Sequence, residues 1–201
     1  MKKSLLLVFA ALSVMISAQK LNVVSGSFDF LKGQKEVNVK VTFDDMKMMA
    51  ENLTEEQYLE NRKRDILDGN PKNEDEWKKW SEDWQQNKTR FADDFAKGLS
   101  PMKNIVFGKD LPSKYTLIVE TKWLYPGWYG GMMMQPAKLT SVLKFVETDN
   151  PTQVLLQLEG DKIDGIGAKG RNLVMEYGRV ALAYQKTGKL LMKEISKNLK
   201  K

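Results

Sequence analysis

Gly165-Ile166-Gly167-Ala168-Lys169-Gly170 spells G-x-G-x-x-G, a spacing that can turn backbone amides and a helix amino terminus toward a phosphate. The context argues against it. A dinucleotide fold needs a second parallel strand with an acidic residue beyond the following helix, and the chain ends first. A phosphate loop needs a Lys-Ser/Thr pair where Arg171-Asn172 stands. Loop and helix entry is the simpler reading. Asp44-Asp45 would sit at a strand end, where adjacent side chains point to opposite faces and cannot easily share one ion. Asp161 and Asp164 are too few for a calcium loop.

There is no His and no Cys. The usual general base near neutral pH, most hydrolase triads, thiol chemistry, disulfides and most transition-metal sites go with them. Catalysis would have to rest on carboxylates, Tyr, Ser or Lys, and no nucleophile motif is present. A carboxylate-dependent hydrolase is therefore the weakest of three functional readings. No cofactor, metal ligand or catalytic residue is assigned.

The most suggestive stretch for binding is Tyr125-Pro126-Gly127-Trp128-Tyr129-Gly130-Gly131-Met132-Met133-Met134. Loops normally shed apolar groups, whereas this one concentrates rings and adaptable thioethers. Exposed, Tyr125, Trp128, Tyr129, Met132, Met133 and Met134 would contact a partner; folded over a sheet end they would be core. Trp128 and Tyr129 beside a cleft could instead stack on a glycan or small ligand. Lys186, Lys189, Lys193 and Lys197 form a stripe that could touch an anionic membrane surface, though a solvated helix face explains it more simply. Nucleic acid is not expected, since no recognition module is present.

These candidates hang on three strands. Tyr115 to Leu124 alternates, placing Tyr115, Leu117, Val119, Thr121 and Trp123 on one face. Lys138 to Val146 alternates likewise, and Val154 to Leu158 follows the turn at Thr148-Asp149-Asn150-Pro151. Before this meander, Leu21 to Leu31 and Val37 to Phe43 read as a hairpin turning at Lys32-Gly33-Gln34. A capping box, Thr54 to Gln57, opens a helix that Gly69 and Pro71 should stop. A second box at Asn73 to Glu76 opens a helix reaching about Lys97. On it Trp77, Trp80, Trp84, Phe91 and Phe95 fall in one arc, the signature of a core face. After the loop from Gly160 to Gly170, a helix from Arg171 carries Leu173, Tyr177, Val180, Tyr184, Leu191, Ile195 and Leu199 on one stripe. Gly188 falls in phase with it, so the helix either bends there or passes close to another backbone. Met175 and Leu182 lie on the outer face, so the first half should be buried on more than one side.

The expected architecture is α+β, a two-layer sandwich of a mainly antiparallel sheet with helices on one face. Lys2, Lys3, the apolar run Leu5 to Ile16 and Ser17-Ala18 have the form of a secretory signal. Residues 1–18 are thus expected to be removed, leaving one domain over 19–201. Their loss lowers the formal charge of +6 by two. The chain is expected to be exported to the periplasm or the outer side of the envelope, with neither lipid anchor nor membrane-spanning helix.

From Phe91 to about Leu199, the segments "YTLIVETKWL", "AKLTSVLKFVETDNPTQVLLQLEG" and "GIGAKGRNLVMEYGRVALAYQKTG" resemble the TolB amino-terminal domain and related outer-membrane lipoproteins. The resemblance implies a small α/β envelope module that binds another envelope protein and carries no catalytic residue. That family's lipid-bearing cysteine has no counterpart after Ala18. The leading functional expectation is a non-enzymatic envelope protein acting through protein contacts.

Overall fold

A computed structural model describes residues 19–68, 73–166 and 173–200. The expected signal at 1–18, the Gly69-Pro71 stop and Gly167 to Asn172 of the glycine-rich motif lie outside the described residues. The protein is α+β. Strands β1 (Leu21–Gly26), β2 (Glu36–Thr42) and β3 (Lys47–Met48) precede helices α1 (Glu55–Asp68), α2 (Glu74–Lys88) and α3 (Phe91–Leu99). Then come β4 (Val106–Gly108), β5 (Tyr115–Tyr125), β6 (Trp128–Tyr129), β7 (Met134–Gln135), β8 (Lys138–Glu147), β9 (Asn150–Asp164) and α4 (Glu176–Leu199).

The main sheet runs β1-β9-β8-β5-β2-β4, with β3 also on β5. The meander is as expected: β5 pairs antiparallel with β8 and β8 with β9. The sheet as a whole is mixed and not mainly antiparallel, because β2 runs parallel to β5 and β4, and β3 runs parallel to β5. The expected amino-terminal hairpin does not form. β1 pairs with β9 at one side of the sheet, while β2 crosses to β5 on the other. Between them the chain is turned by a short 3-10 segment, Asp29–Leu31, in which Leu31 is buried, as is Phe28 just before it. Alternation in β2 fixed which face is apolar, Val37 and Val39 being buried, but alternation does not name the neighbouring strand. Asn38 helps to choose it. Its amide nitrogen donates to Thr116 Oγ1 (3.3 Å), its carbonyl accepts Leu111 N (3.3 Å), and its backbone N–H donates to Ser113 Oγ (2.7 Å).

The first capping box forms as expected. Gln57 N donates to Thr54 Oγ1 at 3.2 Å and Thr54 N to Gln57 Oε1 at 2.9 Å. The second does not: Asn73 Nδ2 donates instead to Ile66 O in the last turns of α1. The long helix expected from Asn73 to Lys97 is two helices. Arg90 N donates to Asn87 O and Thr89 Oγ1 to Gln86 O at the break. Each half serves a different neighbour. Trp77, Trp80 and Trp84 stack in series, with Trp80 and Trp84 also against Tyr58 of α1. Phe91 stacks on Tyr184 of α4 with centroids 4.8 Å apart. The aromatic stripe is core, as its period implied; Trp84, Phe91 and Phe95 are fully buried.

α4 begins at Glu176, five residues later than expected, leaving Leu173 exposed and off the stripe. It runs unbroken through Gly188, where it passes against α3. Residues 178–184 are buried all round, Leu182 included. Here Tyr184 and Thr121 of β5, both inaccessible, share a hydroxyl hydrogen bond of 2.5 Å. Tyr184→Phe should cost about 1–3 kcal/mol because Thr121 loses its partner. In a denaturant double-mutant cycle, Thr121→Val should recover part of that loss.

A bulge re-aims the far end of β5. Pairing with β8 slips between Thr121 and Trp123, so one extra residue enters β5 and the faces exchange. Leu117 and Val119 point to the helices before the bulge, and Leu124 does so after it; all three are fully buried. Trp123, expected on the core face, lies on the other. That outer face carries Glu120 bonded to Lys144 (2.6 Å) and Lys122 (2.9 Å).

Candidate functional site

Four of the suggestive residues, Trp128, Tyr129, Met132 and Met133, stand well exposed on a small hairpin, β6–β7, and Met134 is exposed on its return strand. Met132 is completely accessible. The stretch is therefore not satellite core. Tyr125 differs. It ends β5, is half-buried and faces outward beside Trp123. Gln135 ties the two groups together, its side-chain oxygen accepting from Tyr125 Oη (2.7 Å) and from Trp128 Nε1 (2.8 Å). Gly127, at φ 71, lets the hairpin base approach the backbone of Gln135 and Pro136.

The hairpin is held from below by Arg179. This side chain is buried, and its guanidinium donates to Pro126 O (3.0 Å) and Gly127 O (3.1 Å) on one side. On the other it donates to Leu173 O and Val174 O, both at 2.7 Å. Met175, at the helix start, has an extended backbone, so those two carbonyls are available to the guanidinium and not to α4. Burial lowers the Arg179 pKa from its ordinary value, and Glu176 opposes that shift. Glu176 in turn pairs with Arg62 (2.8 Å) and accepts from Trp80 Nε1 (3.3 Å). The start of α4 is thereby bound to α1, α2 and the hairpin base. Leu173, Val174 and Ile166 are also exposed. A crevice of about 120 Å³ joins Met134, Ile166 and Leu173 above Arg179 and Leu182.

Arg179 and Glu176 escaped the sequence reading. A signal was present: both are charged residues in a half-helix expected to be buried on several sides, where a charge needs partners.

No family model matches the chain, and no curated protein matches it. Solved structures give faint likenesses. A PelC dodecamer from Paraburkholderia phytofirmans aligns at TM-score 0.37 and 10% identity, covering 86% of this chain and 96% of that one. A point variant of the same dodecamer gives 0.35 and 11%, covering 87% and 95%. Likeness at this level carries no argument about assembly or activity.

The remaining candidates are spread apart. Lys189, Lys193 and Lys197 are exposed, and Lys186 donates to Ile166 O (3.3 Å). Among the described residues no helix is long and apolar enough to cross a membrane, and no cluster of three acids could hold a metal. Burial pushes the phenols of Tyr58 and Tyr184 far above their ordinary value. Neither supplies a phenolate near neutral pH.

Proposed function

We propose that this is a non-catalytic, exported envelope protein that acts by binding another protein through the β6–β7 hairpin and the neighbouring Ile166, Leu173 and Val174. One observation carries the reading. Trp128, Tyr129, Met132 and Met133 are exposed on a hairpin whose base is tied by two hydrogen bonds from one buried guanidinium, which makes two more to the segment before α4. An apolar group kept in water on a fixed support is the usual anatomy of a contact surface, aromatic and Met side chains being favoured there. Holding the hairpin beforehand also reduces the ordering cost of association. The signal-like residues 1–18 and the resemblance to TolB-type envelope modules are consistent with that setting.

The test substitutes Trp128 and Met133 together by Ser. Thermal stability should stay within about 0.5 kcal/mol, as for other exposed positions. Capture of a defined partner from envelope extract should be lost. Equal capture by both proteins, or a large fall in stability, would remove the hairpin from the binding reading.

A further inference from the structure

The outer face of the sheet carries a second feature, unrelated to the exposed methionines. Trp123 and Tyr125 stack, with rings 15° from parallel and centroids 6.3 Å apart. They floor an open cleft of about 630 Å³ whose other walls include Asn52, Gln135, Lys138, Thr140, Asp161 and Lys162. That volume lies in the range of small-ligand sites, which run to roughly 300–1,000 Å³.

Both rings have their polar edges tied back. Trp123 Nε1 donates to Met49 O (2.8 Å), and Tyr125 Oη donates to Gln135. What remains toward the cleft is apolar ring surface fixed in orientation, with the Lys162 ammonium over the Trp123 ring. Around it stand groups with hydrogen-bonding capacity to spare. Among the described residues the side chains of Asn52 and Lys138 make no hydrogen bond. Lys162 Nζ sits 5.6 Å from the Trp123 ring. Asp161 accepts from Thr140 (2.8 Å) through one oxygen.

The backbone at this rim is strained. Of the five described non-glycine residues at positive φ, Asn52 and Lys162 line the cleft and Met49 supplies the carbonyl that fixes Trp123. Such conformations cost of order 1–3 kcal/mol each and gather at ligand sites. The bulge that puts Trp123 outside belongs to the same region.

We propose that this cleft binds an acidic saccharide. A sugar ring offers a flat C–H face to aromatic rings and a girdle of hydroxyls to mixed donors and acceptors, which is the arrangement of this floor and rim. The lining has two lysines and one aspartate, so its charge favours a carboxylate-bearing sugar over a neutral one. Trp123 and Tyr125 stack on the ring, Asn52 and Gln135 take hydroxyls, and Lys138 and Lys162 take the carboxylate.

Isothermal titration of the full chain with tetragalacturonate, and with cellotetraose as the neutral counterpart, tests this directly. Tetragalacturonate is expected to bind at least about tenfold more tightly than cellotetraose. Lys138→Gln with Lys162→Gln, both outside the core, should weaken it by about tenfold or more without moving the melting temperature. Tyr125→Leu should abolish binding of both sugars. No binding of tetragalacturonate up to about 10 mM, equal binding of the two sugars, or binding indifferent to the lysine pair would overturn the proposal. The Trp128 and Met133 double substitution leaves this floor in place, so the two readings fail separately.

Discussion

Gly188→Val is expected to lower stability by more than about 3 kcal/mol, or to prevent folding. A Cβ at Gly188 would fall on the carbonyl oxygen of Phe95 in α3, and one at Gly98 would fall on Gln185 O, with Lys189 N at 2.6 Å. The two glycines face each other across the α3–α4 crossing, and the atoms they spare are backbone. No side chain can rotate away. Accommodating even one methyl must part the helices, disturbing the Phe91–Tyr184 stack and the Thr121–Tyr184 hydrogen bond. The sign for Gly188→Ala is diagnostic. In an open helix this change gains about 0.5–1 kcal/mol; here it should cost stability. Urea denaturation of both variants, with exposed Lys193→Ala as the control, would read the difference. A stabilised Gly188→Ala would show that the helices do not touch there.

Arg179→Met should cost about 3 kcal/mol or more and release the hairpin. Methionine fills similar space but takes the common donor from four carbonyls, one at a buried and three at part-buried hydrogen bonds. Lysine should not rescue it. Its ammonium is a point donor, whereas the guanidinium fork spans two chain segments at once. Hydrogen exchange should accelerate in 126–135 and 173–175 more than in β8 and β9. Uniform acceleration across the sheet would mean that Arg179 supports the whole fold and not this corner.

The meander was legible because its three strands are neighbours in sequence and alternate cleanly. The Thr54 cap was legible because it depends on local chemistry, and Gly188 marked either a bend or a close passage, of which the α3 contact selects the second. Partnering was not legible. Val37, Val39 and Val41 make the same pattern beside β1 as beside β5, and what separates the two lies in distant contacts such as those of Asn38. Asn73 resembles a cap, but its amide serves the end of α1. The aromatic arc from Trp77 to Phe95 is compatible with one helix or two, since both halves bury their rings. At the candidate sites, the apolar loop could be read from composition, while its hairpin form and exposure, and the carbonyls that Arg179 holds, depend on tertiary contacts that composition does not show. The cleft was hidden by one residue. Period-two counting carried Trp123 into the core, and the bulge reverses that count.

The parallel pairing of β2 with β5 also shapes how the protein is made. β5, β8 and β9 can zip together as soon as they exist, since only the β6–β7 hairpin and one turn separate them. β2 must wait until all of α1, α2, α3 and β4 have followed it, and β1 until β9 is complete. Both amino-terminal strands therefore close long loops, which carry the larger loop-closure entropy. Until β1 lands, β9 has an open edge, the kind of surface that recruits other chains. Polar residues along β9, including Gln153, Gln157 and Glu159, give that edge some protection during the interval.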